Sequence, residues 1–237
     1  MPIMRLDKLI SECGLASRKE IKQMIKAGRV SVDGVTAAAA EQKVDPDVNS
    51  VAIDGNAVGY RKFHYYMLNK PAGILSATDD GKQKTVLDLV TPEMRKMGLF
   101  PVGRLDKDTT GLLLLTDDGD FAHKVISPKS GIIKTYHAVT DGAADAVDVT
   151  AFARGIVLGD GTECLPAELV PLDDGSCLVK VMEGKYHQVK RMLASRGKPV
   201  LKLKRLSIGG LELDSSLAEG EIRALSDDEL CRVLNKI

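Results

Sequence analysis

Between Gly103 and Gly119 the chain gathers four acids, two bases and three glycines around a run of four leucines. Leu112–Leu115 is short and apolar, with Gly111 before it and Asp117-Asp118-Gly119 after it. That pattern predicts a buried strand, and makes the polar residues ahead of it a loop fixed to the core at one end. Such a loop can hold a charged group at a defined place, as a catalytic carboxylate requires. Asp106 is the candidate. Nothing around Asp108 marks a shielded acid, so it reads as structural rather than as half of a hydrolytic carboxylate pair. The chain has no Gly-x-x-x-x-Gly-Lys-Ser/Thr phosphate loop and no Gly-x-Ser-x-Gly elbow. His64, His123, His137 and His187 lack the helical His-x-x-x-His spacing, so no metal is expected. Cys13, Cys164, Cys177 and Cys231 are scattered, without a Cys-x-x-Cys pair, and read as reduced thiols.

The elements that must position these residues follow from periodicity. Leu6, Leu9 and Ile10 line one helix; Ser17 and Glu20 form a capping box for a second, with Ile21, Met24 and Ile25 as its apolar stripe. Asp33-Gly34 and Asp54-Gly55 predict hairpin turns. Residues 55–63 read as a linker, dividing the chain into a domain over residues 1–59 and a second over 60–237. In the second, strands are expected at 65–68 (ending at Asn69-Lys70-Pro71), 112–116, 132–140, 167–171, 176–182 and 200–206. Helices are expected at 93–97, at 120–126 with Asp120 as N-cap, at 146–154 and at 188–195. The fold class is α+β with a mainly antiparallel sheet.

With 237 residues, 44% hydrophobic and 28% charged, the composition is that of an ordinary soluble protein. No apolar run reaches membrane-spanning length, and the first residues lack the apolar core of a signal peptide; a cytoplasmic, monomeric protein is expected. The net charge of zero hides an asymmetry. Residues 5–30 carry seven Lys/Arg against three acids, and residues 178–206 carry nine against one, whereas 31–59 and 207–237 each come to −4. Positive charge gathered in two stretches suits a polyanion.

The N-terminal pattern resembles the S4 RNA-binding module, a small α-L fold, over about residues 4–50. The resemblance rests on Arg5-Leu6-Asp7-Lys8, Ser17-Arg18-Lys19-Glu20, Ile25 and Gly28-Arg29-Val30-Ser31-Val32-Asp33-Gly34. It implies phosphate contacts from Arg5, Lys8, Arg18, Lys19, Lys22, Lys26 and Arg29; the plainer reading is a helical hairpin with surface lysines.

Four further blocks occur in the order seen in RsuA-type pseudouridine synthases. These are Met67-Leu68-Asn69-Lys70-Pro71-Ala72-Gly73, Gly103-Arg104-Leu105-Asp106 through Gly119, Lys134-Thr135-Tyr136, and Glu183-Gly184-Lys185-Tyr186-His187-Gln188-Val189-Lys190-Arg191-Met192. The resemblance implies a cofactor-free isomerisation of a uridine within RNA. Asp106 matches the family's aspartate, whether it attacks the sugar, adds to the base or assists elimination. Tyr136 matches the tyrosine that stacks on the flipped base and assists loss of the C5 proton, although by residue type alone it could be a core strand tyrosine. Lys190 aligns with the basic partner of the aspartate, where many relatives have arginine; Arg191 is a second candidate for that place or for phosphate. Arg104 matches the arginine that fills the gap left by the extruded base, or it pairs within its own loop. Lys202, Lys204 and Arg205 line the RNA path or form an exposed basic edge, and His187 and Gln188 support their loop.

The expected substrate is small-subunit (16S) ribosomal RNA, alone or in an assembly intermediate. The alternatives are a large-subunit (23S) synthase of the same family or a non-catalytic RNA-binding assembly factor; retention of Asp106, Tyr136 and Lys190 together favours an enzyme. Phosphate-dominated binding makes affinity depend steeply on salt. Between about 50 and 200 mM salt the affinity for ribosomal RNA is expected to fall about a hundredfold or more. A filter-binding titration that gave a flat salt response would contradict it.

Overall fold

The strand over Thr110–Thr116 carries leucine at four successive positions because both its faces are covered. Leu112 and Leu114 point into one apolar cluster with Met67, Val102, Val125 and Ile208, and Leu113 and Leu115 into another with Leu68, Val86, Leu99 and Leu105. The computed structural model describes residues 3–235 and divides into two compact units, Met1–Lys62 and Phe63–Ile237.

In the first unit the elements are β1 (Met4–Arg5), α1 (Leu6–Glu12), α2 (Arg18–Lys26), β2 (Val30–Val32), β3 (Val35–Thr36), β4 (Lys43–Val44), β5 (Val51–Ile53) and β6 (Asn56–Ala57). β1 pairs with β4, and a small sheet runs β3-β2-β5-β6. The capping box is formed: Glu20 N donates to Ser17 Oγ at 3.4 Å, and Ser17 N donates to the Glu20 carboxylate at 2.8 Å. Asp33 and Asp54 take left-handed φ values of 52° and 51° ahead of Gly34 and Gly55, as two-residue hairpin turns demand. Val58 and Tyr60 pack on this unit's core and Tyr60 Oη donates to Glu12 at 3.0 Å. The units therefore part after Lys62 rather than after residue 59, because part of the stretch read as linker covers apolar surface.

The second unit contains β7 (Tyr65–Lys70), α3 (Pro92–Lys96), β8 (Phe100–Pro101), β9 (Thr110–Thr116), α4 (Gly119–Ile126), β10 (Lys134–Thr140), α5 (Ala146–Arg154), β11 (Glu168–Pro171), β12 (Cys177–Val181), α6 (Gln188–Ser195), β13 (Val200–Ile208), β14 (Leu211–Glu212), β15 (Ile222–Ala224) and α7 (Asp227–Leu234). One sheet runs β11-β12-β10-β13-β9-β7-β15, with β14 on β13 and β8 on β9. Every pairing is antiparallel except β9 with β13, which is parallel and two pairs long, Thr110 with Lys204 and Gly111 with Arg205. The fold is thus α+β with a mainly antiparallel mixed sheet. Two local expectations are corrected, and two elements are added. β7 runs on through Asn69 and Lys70 because both still pair with β9. The cap of α4 is Asp118, whose Oδ1 accepts from the backbone N–H of Asp120 and Phe121 at 3.0 Å, so the helix starts before Asp120. β15 and α7 add a strand and a capped helix that periodicity did not single out.

The parallel contact is made possible by Gly111. Its φ is +98°, and a Cβ there would lie 2.2 Å from the carbonyl oxygen of Arg205. Beyond this point β9 and β13 share no further register pair, and the Arg205 side chain bonds across to β9. Its Nε donates to the Leu112 carbonyl at 2.7 Å and its Nη1 to Tyr136 Oη at 3.4 Å. Arg205 is only 4% exposed, so it does not line an RNA path; register shifts between β10 and β13 at Thr135/Tyr136 accompany its inward placement. Lys202 remains exposed and Lys204 is half-buried. Lys134 opens β10 as a buried lysine whose Nζ has no hydrogen-bond partner. Burial, and secondarily the Arg205 charge, push its pKa down to about 8.

Two stability predictions follow from this packing. Gly111→Ala should cost about 3 kcal/mol or more, since the left-handed φ and the backbone clash act together. Gly119→Ala, with open space at its Cβ position, should stay within about 0.5 kcal/mol in the same urea titration. Lys134→Met should stabilise the fold at pH 7 by about 1–3 kcal/mol, because a buried ammonium without acceptors is replaced by a chain of similar volume. At pH 7 the wild-type lysine is charged in both states and its burial cost is fully present. Between about 8 and the ordinary value of 10.5 the folded amine has lost its proton while the unfolded one keeps it, so wild-type stability rises. The advantage of the methionine variant should therefore shrink across that window, as melting curves at pH 7 and above pH 10 would show.

Candidate active site

Asp106 sits on the loop that leads into β9, in the wall of a cleft that also holds Arg104, Tyr136, Glu183, His187 and Leu203. The loop is held from beneath by Lys70, the last residue of β7. This lysine is fully buried, and its Nζ donates toward the carbonyl oxygens of Pro71 (3.0 Å), Asp106 (3.2 Å), Lys107 (3.3 Å) and Thr109 (2.9 Å). Burial pushes its pKa down to about 8, against the pull of Asp108 and Asp106. The carbonyls give the charge a shell of oxygens in place of water. Ser76 fixes the next stretch: its Oγ donates to Leu105 O at 2.9 Å and accepts from Leu105 N at 3.0 Å. Lys70 was in view in the sequence as part of a motif but had no role there; its signal was a lysine ending an otherwise apolar strand.

The Asp106 carboxylate is one quarter exposed and meets two cationic or titratable partners from one segment. Lys190 Nζ lies 3.5 Å from Oδ2 and His187 Nε2 lies 3.5 Å from Oδ1. Lys190 is closer to Asp108, at 2.5 Å, and holds that carboxyl below the usual carboxylate range. Asp108 is 74% exposed and belongs to the ion-pair triangle without lining the cleft. Lys190 stands on the first turn of α6, and His187 immediately precedes that helix with a left-handed φ of 47°. The turn is locked by Gln188 and Glu183. Gln188 accepts from Lys185 N at 2.9 Å and donates to Glu183 at 2.8 Å, and Glu183 also accepts from Leu165 N at 2.9 Å. Gln188 thus supports the loop, whereas His187 reaches the carboxylate itself.

Tyr136, on β10, packs against the apolar clusters on both sides of the parallel contact and carries Arg205 at 6.0 Å from its ring centroid. Arg104 is exposed on the rim, while the ion pairs of Asp106 and Asp108 go to Lys190 and His187. Arg191 turns away from Asp106 and pairs with Asp160 at 2.5 Å, drawing that carboxyl down to about 2. The structure therefore brings Asp106, Tyr136 and Arg104 into one cleft wall, sets Lys190 against Asp106 by an ion pair from outside the lining, and leaves Arg191, Arg205, Lys202 and Lys204 outside the cleft.

In the first unit all seven basic candidates are exposed. Arg5 pairs with Asp7 at 2.8 Å and Glu41 at 2.9 Å, Lys8 with Glu12 at 3.6 Å, Lys22 with Glu41 at 3.9 Å and Arg29 with Asp54 at 2.5 Å. Arg18, Lys19 and Lys26 stand on the solvent side of α2, opposite the buried Ile21 and Ile25. Among the described residues no helix is long and apolar enough to cross a membrane.

Known proteins resemble this chain along nearly its whole length. Residues 64–195 match the family model for RNA pseudouridylate synthase, and residues 4–49 match the S4 domain. An uncharacterized RNA pseudouridine synthase of Bacillus subtilis, YtzG, is 46% identical over 231 residues, covering 96% of this chain and 97% of that protein. Ribosomal small subunit pseudouridine synthase A of Escherichia coli is 39% identical over 233 residues, covering 98% of this chain and all of that protein. A crystal structure of a pseudouridylate synthase superposes with a TM-score of 0.69 at 35% identity, over 97% of this chain and 99% of that one. With its S4 domain and a catalytic unit matched through the loop of Asp106, the chain belongs to the RNA pseudouridine synthases of the RsuA type.

Proposed function

We propose that this protein converts one uridine of small-subunit (16S) ribosomal RNA into pseudouridine, with Asp106 as the carboxylate that acts where ribose meets base. The observation that carries the reading is the carboxylate set in a cleft between Lys190 and His187, with Tyr136 in the same wall. The full-length likeness to small-subunit synthases supports the substrate. The reaction is an isomerisation. The N1–C1′ bond breaks, the base turns, C5 bonds to C1′, the C5 proton leaves and N1 takes one up, so no outside oxidant or group donor is needed.

The chain's residues divide this work. A single carboxylate in contact with the ribose–base junction suffices for the covalent or elimination step. Lys190 neutralises charge in the cleft and orients the Asp106 oxygens. Tyr136 offers an aromatic face to the base and a phenol oxygen near C5, with Arg205 donating to that oxygen. The target has to leave its stack to reach Asp106, at a cost of about a few kcal/mol that phosphate contacts elsewhere offset. Arg104, exposed on the rim, enters the space the base leaves. Lys202, Lys204 and the basic residues of the S4 domain, from Arg5 to Arg29, supply backbone contacts that carry no base information.

Asp106→Asn keeps the size of the side chain and removes the charge. It should lower pseudouridine formation on transcribed 16S RNA by more than about a thousandfold. RNA affinity and melting temperature should change little. Modification at the normal rate would rule out Asp106 as the reacting group. Mapping pseudouridines in ribosomal RNA with and without the gene should show one missing site in 16S RNA; a missing site in 23S RNA instead would move the substrate to the large subunit.

A further inference from the structure

Tyr186 is the one phenylalanine or tyrosine ring that is classed as exposed among the described residues, at 71%. It gains nothing for the core there. Yet it is not loose, because its ring stacks on that of His187 with centroids 3.9 Å apart and planes 17° from parallel. His187 covers one face of Tyr186, which leaves the other face to solvent. The same His187 lies 3.5 Å from the Asp106 carboxylate through Nε2. The stack is thus one ring away from the group that acts on the target nucleotide.

Its support is built rather than incidental. His187 holds a left-handed backbone, φ 47°, a conformation histidine takes more readily than most residues. The residues on either side of it are tied down: Gln188 bonds Lys185 N and Glu183, and Arg191 Nη1 donates to the Tyr186 carbonyl at 3.4 Å. An aromatic held flat, in the open and beside a reacting carboxylate, has the form of a stacking surface for a base.

We infer that the Tyr186–His187 stack is a nucleobase platform. The base adjacent to the target uridine in the RNA strand stacks on the open face of Tyr186, in place of the neighbour it loses when the uridine is extruded. The inference rests on the reading of Asp106 as the reacting carboxylate. It adds a subsite for a second nucleotide to the one that takes the uridine; the closeness of the stack to Asp106, through His187, favours a base of the bound strand as the occupant. Stacking tolerates any base, so the platform contributes affinity and positioning more than sequence choice.

The test uses the full-length protein and transcribed 16S and 23S RNA. With the RNA that the wild type modifies, Tyr186→Ala and Tyr186→Leu should raise the half-saturating RNA concentration about tenfold in single-turnover assays, while Tyr186→Phe stays near wild type. Melting temperatures should be unchanged, as the ring is exposed. An abasic nucleotide on one side of the target should erase the difference between wild type and Tyr186→Ala. Equal behaviour of the alanine variant and wild type, or of the leucine and phenylalanine variants, would overturn the platform, as would a difference that neither abasic position erases. The chain has no tryptophan, so Tyr186→Trp creates a single reporter on the stack. RNA should quench its emission, and unchanged emission with bound RNA would also overturn the proposal. If the wild type modifies only 23S RNA while the tryptophan is quenched, the 16S substrate fails and the platform stands; if it modifies neither, the reading of Asp106 fails and the platform falls with it.

Discussion

The sheet of the catalytic unit depends on one backbone contact, the parallel pairing of β9 and β13 at Gly111 and Arg205. On one side of it lie β7 and β15 with the loop of Asp106, and on the other lie β10, β12 and β11. α6, which bears Lys190, packs with the apolar cluster of that second half through Val189, Met192 and Leu193. Neither half contains both Asp106 and its partners. The two pairs of register set the distance between them, and they exist because position 111 has no side chain. A carbonyl oxygen occupies almost the place where a Cβ would stand. Close-packed interiors transmit strain, so a displacement at Gly111 would be felt at the cleft.

Where the two strands part, charged side chains do what backbone pairing does elsewhere. Arg205 joins β13 to the carbonyl of Leu112 and reaches Tyr136 with the same guanidinium. Lys70 joins the end of β7 to four carbonyls around Asp106. Asp106 O and Lys107 O also accept from Thr109 N and Gly73 N, so an apolar side chain filling that volume would leave the Pro71 and Thr109 carbonyls without this donor, each at about 1–3 kcal/mol. Lys70 and Lys134 are both buried and both pushed down to about 8, yet only Lys70 has acceptors. The same residue type is a brace at one place and a net cost at the other, and the difference lies entirely in which oxygens stand within reach.

These braces mark the limit of what is legible from residue types. The leucine run announced a buried strand, the Ser17–Glu20 spacing announced a helix start, and Asp-Gly pairs announced hairpins, because each is a local rule acting over a few residues. Asp106 was legible because its loop is anchored by that strand. Arg205 groups with Lys202 and Lys204 because the three bases adjoin in sequence, yet alternation puts it on the other face with Leu203, and that face is buried once β13 lies in the sheet. Asp118 rather than Asp120 caps α4 because its carboxylate also receives Tyr65 Oη, from a strand fifty-three residues earlier, at 2.7 Å. His187 resisted for the same reason, since its approach to Asp106 is a contact between distant segments. Local chemistry is written in neighbouring residues, whereas bracing is written in pairings that only the folded sheet makes.

The two kinds of charge in the molecule therefore serve opposite ends. In the S4 domain the basic residues sit in solvent, several in ion pairs with Glu41, Glu12 or Asp54. Exposed pairs of this sort contribute about 0–1 kcal/mol, so on the proposed function phosphates can replace those acids at little cost; the exception is Arg5 with Asp7, whose carboxylate is buried. Around Asp106 the carboxylate, Lys190 and Lys70 are partly or fully withdrawn from water, and Lys70 is tied to backbone, where exchange would be expensive. On the function proposed above, binding a long polyanion needs cations that can be shared out along its length, whereas acting on one glycosidic bond needs a carboxylate that stays where it is. Under that reading, putting the first task on exposed helix faces and the second on a braced loop lets the energy of the first offset the unstacking that the second demands, without loosening the loop that holds Asp106.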